Sequence, residues 1–106
     1  MKRYDVVITQ SAAMDMESIY NYIAFNLQAP STAMEQYTRI ANEVLSLEYF
    51  PERIKLMDTF PEKRRGLRQL LVDNYSVFFS IDGNRVIVIS VLYTASDIIN
   101  KLRSIS

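Results

Sequence analysis

The sequence predicts one α+β domain in two layers, a helical hairpin packed on a largely antiparallel sheet, in the order β-αα-βββ with a short terminal helix. Three observations predict it. Residues 64–93, RRGLRQLLVDNYSVFFSIDGNRVIVISVLY, hold three apolar runs separated by Asp73-Asn74 and Asp82-Gly83-Asn84. Residues 11–48 carry two apolar stripes at three- and four-residue spacing, interrupted at Pro30. A β-branched run, residues 3–9, precedes them and reads as the first strand. A chain of 106 residues accommodates one core, so residues 1–106 form a single domain on this reading.

Thr9 or Ser11 can cap the first helix, because a short side-chain oxygen accepts from the open first-turn amides. That helix runs to about residue 27, with Met16, Ile19, Tyr20, Ile23 and Leu27 on one face. Asp15, Glu17 and Asn21 fall off the stripe, and acid near the start suits the helix dipole. Pro30 stops the helix and Ser31 can cap the next. The second helix spans about 32–48, its apolar face built from Met34, Tyr37, Ile40, Ala41, Val44, Leu45 and Leu47 or Glu48. A connection this short makes the two helices antiparallel neighbours.

Residues 51–65 are the least regular stretch, a loop with a short turn or an edge strand at 55–57. Three strands follow, at 66–72, 75–81 and 86–91. Gly83 suits the hairpin turn because it takes positive φ without a Cβ clash. The last strand is almost wholly apolar, which places it centrally. Beyond Tyr93, Thr94 or Ser96 can cap a terminal helix at 97–102, with Ile98, Ile99 and Leu102 docked on the sheet.

Composition excludes much chemistry. The chain has no cysteine, so it forms neither a disulfide nor a thiolate metal site. It has no histidine, which removes the commonest general base and metal ligand together. No cofactor or metal is expected. No apolar run approaches membrane-span length, so the expected location is the cytoplasm, with no membrane partner. The net charge is zero but unevenly spread. Residues 1–50 hold three basic and six acidic groups, whereas residues 51–72 hold six basic and three acidic. The positive side suits an acidic partner or a nucleic acid.

The chain resembles the RelE/ParE superfamily of toxins from bacterial type II toxin–antitoxin systems. The resemblance rests on Tyr4-x-Val6-x-Ile8-Thr9, then Ala12-x-x-Asp15-x-x-x-Ile19-x-x-Tyr22-Ile23. Pro30-x-x-Ala33 and Leu47-x-x-Phe50-Pro51-x-Arg53 follow. Then come Gly66-Leu67-Arg68-x-Leu70-x-Val72-x-Asn74-Tyr75-x-Val77-Phe78-Phe79-x-Ile81 and Val91-Leu92-Tyr93-x-x-x-Asp97. Each fragment is weak alone; their order and spacing over nearly the whole chain carry the assignment.

The resemblance implies a RelE-like fold in a cytoplasmic toxin of a plasmid-stabilisation module, neutralised by a cognate antitoxin that folds on binding. It implies one of two targets. ParE-like members inhibit DNA gyrase; RelE-like members enter the ribosome and cleave mRNA. Cleavage by 2′-OH attack needs a base, charge at the phosphate and an acid. Without histidine, the catalytic candidates are Arg68 and Tyr93. Arg53, Lys55, Lys63, Arg64 and Arg65 are candidates for RNA or partner binding. RelE-like nucleases often carry a basic run after the last strand, where this chain has Thr94-Ala95-Ser96-Asp97. That departure favours gyrase inhibition over mRNA cleavage, and an inactive toxin-fold interaction module is the third reading.

The structural readings stand beside these. Arg68 reads first as an arginine pairing with a carboxylate or helix end. Arg64 and Arg65 read first as a solvated loop or an antitoxin contact. Tyr75 and Phe79 share a strand face and read as packing, as do the helix-borne Tyr20, Tyr22, Tyr37 and Tyr49. The exposed edge of the meander suits either a homodimer or a toxin–antitoxin hetero-oligomer.

Overall fold

The computed structural model describes residues 2–105. Strand β1 (Asp5–Ile8) leads into helix α1 (Gln10–Asn21), a π-helical turn (Tyr22–Asn26) and helix α2 (Pro30–Ser46). A 3-10 turn (Pro51–Arg53) and a wound segment precede β2 (Arg68–Val72), β3 (Tyr75–Asp82) and β4 (Arg85–Tyr93). Helix α3 (Ile98–Arg103) ends the fold. The sheet order is β1-β4-β3-β2. The meander is antiparallel, and β1 adds to it in parallel, Asp5 opposite Arg85 and Ile8 opposite Val88. The α+β architecture of the sequence reading holds, and β4 is a central strand.

Thr9 caps α1, its Oγ1 accepting the amide of Ala12 at 3.2 Å. The same hydroxyl donates to the Val88 carbonyl at 2.8 Å, which ties the helix start to β4. The caps expected downstream are not used. Pro30 opens α2 rather than merely stopping α1, since its fixed φ suits the first helical position. The cap is Ala29, so Ser31 lies inside the helix. Asp97, not Thr94 or Ser96, precedes α3, and its carboxylate accepts from Asn100.

The expected stripe on the first helix breaks at the π turn. Leu27 bonds back five residues to Tyr22, which shifts the helical phase. Ile23 and Ala24 are buried against Ala33, while Leu27 is 57% exposed. On α2 the core face is Ala33, Ile40 and Val44, with Leu47 just beyond the helix. Met34 and Leu45 face solvent instead, because that line of four lies to one side of them.

The main core lies between the hairpin and the sheet. Ala12, Met16, Ile40, Val44 and Leu47 meet Val77, Phe79, Val86, Val88 and Val91. A smaller cluster lies on the sheet's other face, where Met57, Leu67, Phe78 and Leu102 pack with Ile89, Leu92, Ile98 and Ile99. The sheet is therefore covered on both faces, with α3 docked as expected. A β-bulge serves both cores. Phe78 opposes Ser90 and Phe79 opposes Val88, leaving Ile89 as the extra residue. This slip in alternation explains why β4 lacks a clean polar–apolar pattern. Asp15, read as an off-stripe residue, is the bulge's anchor. Its Oδ2 accepts from the Ser90 hydroxyl at 2.7 Å and the Val91 amide at 2.9 Å.

Candidate functional site

Two surface features stand at opposite ends of β2. The first is an aromatic groove of about 600 Å³ lined by Ser18, Ile19, Tyr22, Leu27, Asn74, Tyr75 and Tyr93. The π turn supplies its helical wall. The Asp73-Asn74 turn, with Asp73 at φ 56°, brings Asn74 to its wall. Arg39 pairs with Asp73, and Gln36 donates to the same carboxylate at 3.0 Å, holding its pKa below the ordinary carboxylate range. Tyr75 and Tyr93 meet edge-on at 5.8 Å. Burial, helped by the neighbouring phenols of Tyr93 and Tyr22, raises the pKa of the Tyr75 phenol. Tyr93 is 50% exposed. Its ring walls the groove, and its carbonyl accepts from the amide and hydroxyl of Ser96. Tyr22 is thus a groove residue rather than packing, and Tyr49 is exposed as well. Tyr20 and Tyr37 do pack, edge-on at 6.3 Å.

The second feature is the segment before β2. Residues 59–66, expected as a loop, wind into consecutive turns. Lys63 bonds back to Thr59, Arg65 to Pro61 and Gly66 to Lys63. Gly66 closes them at φ 78°, a left-handed conformation that glycine takes readily. The edge contact expected at 55–57 is a bridge between Leu56 and Arg68, with the Met57 amide bonded to the Leu67 carbonyl. Glu62 is wholly buried beneath the turn. It accepts from Thr59 at 2.8 Å and from Arg103 of α3 at 3.2 Å. The Arg103 guanidinium, aided by the Thr59 hydroxyl, holds the Glu62 pKa below the usual range.

The named candidates divide by what they touch. Arg68 donates from Nη1 to the carbonyls of Ile54 and Glu52. Arg53 closes the corner after α2, bonding the carbonyls of Tyr49 and Phe50 and the Ser46 hydroxyl. That corner needs support because Phe50 holds φ 50°. Lys63 and Arg64 lie over the Phe60 ring, at 5.9 and 5.7 Å from its centroid. Lys55, Lys63, Arg64 and Arg65 form no ion pair with the described residues. Lys55 instead lines a small depression with Met57, Asp58, Gln69, Leu71 and Thr94.

Arg68 and Tyr93 are not brought together. Arg68 pairs with Phe79, whereas Tyr93 pairs with Tyr75, four residues back along β3. Their backbones are offset by roughly 13 Å along the strands and roughly 10 Å across them. Three contributors were not singled out by sequence reasoning. Phe60 and Glu62 carried no spacing signal. Arg103 could have been noticed only as a cation in the last turn of the terminal helix.

A hairpin seated on a β1-β4-β3-β2 sheet, with a groove walled by the helices and the meander turn, defines the fold of a RelE/ParE superfamily toxin. The family model for the ParE toxin of the type II toxin–antitoxin system matches residues 6–98, and the chain belongs to that family. Among solved structures it is similar to a chain of the chromosomal ParDE system of P. aeruginosa. The TM-score is 0.72 at 20% identity, covering 86% of this chain and 96% of that one. It is also similar to a chain of the RelBE2 toxin–antitoxin complex of Mycobacterium tuberculosis. There the TM-score is 0.61 at 17% identity, with 86% and 98% covered. No curated relative matches the chain in sequence. Among the described residues no helix is long and apolar enough to cross a membrane.

Proposed function

We propose that this toxin arrests growth by binding DNA gyrase, with no bond-breaking chemistry of its own, and that a cognate antitoxin neutralises it in the cytoplasm. The observation that carries this reading is the separation of Arg68 from Tyr93. A phosphodiester cleavage site needs its charge and its acid or base within hydrogen-bond reach of one phosphate. Here the Arg68 guanidinium is engaged by two backbone carbonyls, and Tyr93 faces an aromatic groove at the other end of the sheet. A hydrophobic groove can receive the apolar face of a protein segment. The family match supports the same reading.

The test is induction of this chain alone in a bacterial host, following plasmid supercoiling and pulse-labelled protein synthesis together. Supercoiling is expected to fall first. A halt in translation within minutes, with supercoiling held, would move the assignment to RelE-like mRNA cleavage. Arg68→Ala and Tyr93→Ala would then separate catalysis from folding. On the gyrase reading neither variant loses toxicity through lost RNA cleavage, and only Tyr93→Ala weakens target binding. Neither effect, with soluble protein accumulating, would leave the inactive interaction module.

A further inference from the structure

We propose that the wound turn of residues 59–66 is a binding platform for an unpaired nucleic-acid strand, with Phe60 stacking a base and Lys63, Arg64 and Arg65 meeting the phosphates. This goes beyond gyrase binding and does not depend on it. Phe60 is 58% exposed although it is a large apolar ring. The turn's winding brings residues three and four positions on beside it, which puts two cations at the ring while leaving it open to solvent. An aromatic face among cations is the arrangement that binds single strands with little regard to sequence. Asp58 is the nearest exposed carboxylate in sequence, and the other acids of this region are engaged, Glu62 by Arg103 and Glu52 by Tyr4.

The platform is also built rather than loose. Glu62 anchors it from below, and Arg103 Nη2 donates to the Phe60 carbonyl at 2.9 Å, fixing the backbone that carries the ring. A ring held in place before binding loses less freedom when it stacks. Residues 1–50, which build the hairpin, disfavour a polyanion, since they carry six acidic and three basic groups.

The experiment titrates the full chain against fluorescein-labelled dT12 and U12 at low salt, read by anisotropy. Both strands are expected to bind, and the tighter of the two names the source. The logarithm of affinity should fall with that of salt at a slope of about −2, for three phosphates at about −0.7 each. Phe60→Leu should weaken binding at least about fivefold, while Phe60→Trp holds or tightens it. The double variant Arg64→Gln, Arg65→Gln should flatten the slope by about 1.4. Circular dichroism checks that each variant is folded. Three outcomes would overturn the proposal: no binding of either strand, equal affinity of the Leu and Trp variants, or a duplex or polyglutamate of equal charge binding as tightly. Because the assay contains neither gyrase nor ribosome, its failure leaves the growth-arrest reading standing.

Discussion

The two faces of the sheet are held by different means. The hairpin face is an apolar interlock of two helices and three strands, with many side chains fully removed from water. The opposite face has three buried apolar residues, Met57, Leu67 and Phe78, under a six-residue helix that contributes Leu102, and a buried carboxylate to hold that helix down. Apolar burial is non-directional and grows with area. A small patch cannot be fixed that way, so α3 is located by the geometry of Arg103 on Glu62 and Phe60. The first face confers stability, and the second confers placement.

Substitutions can break this contrast, beginning where the effect is largest. Phe79→Ala empties the centre of the hairpin-face core and should cost about 3–5 kcal/mol, read as a fall in urea midpoint. That is a large part of the roughly 5–15 kcal/mol available to a domain, so the variant should be close to unfolding at 37 °C. Asp15→Ala removes the acceptor at the bulge and leaves the Val91 amide and Ser90 hydroxyl wanting. It should cost about 1–3 kcal/mol in the same experiment.

Acid should act on the second face first. The Glu62 pKa is lowered in the folded state, so its contribution is complete above the ordinary value of about 4.3 and is lost as pH falls through the folded value. Amide chemical shifts of Ile98–Arg103 should therefore move toward coil values as pH falls below the ordinary glutamate range, while those of α1 persist. In Glu62→Gln the α3 shifts should lose that pH dependence. The smallest effect should come from Leu45→Gln, within about 0.5 kcal/mol, because Leu45 is 56% exposed. A larger loss would mean that the apolar stripe read from the sequence packs after all.

Most of the fold was legible in the sequence, because periodicity and turn chemistry are local. The meander, its two turns, the helical hairpin and the Thr9 cap all follow from neighbouring residues. What escaped depends on distant partners. The parallel placement of β1 is decided by β4, and the role of Asp15 by a bulge at Ile89. The π turn gives no signal of its own, so the apolar stripe was carried one residue too far, onto Leu27. The cations of the basic segment were visible as a cluster. Phe60 was not visible among them, since only the winding of the turn brings its ring to Lys63 and Arg64. Arg68 kept both readings open because its partners are backbone carbonyls, which no sequence displays.

The pairing of β1 with β4 also sets an order of events during synthesis. Thr9 and the Val88 carbonyl it bonds lie 79 residues apart. At roughly 5–20 residues per second, the first strand leaves the ribosome several seconds before its partner has been made. A chain broken off before β4 lacks the strand that both β1 and β3 require. The native sheet therefore forms only once β4 has been made, and products truncated before it should not carry it.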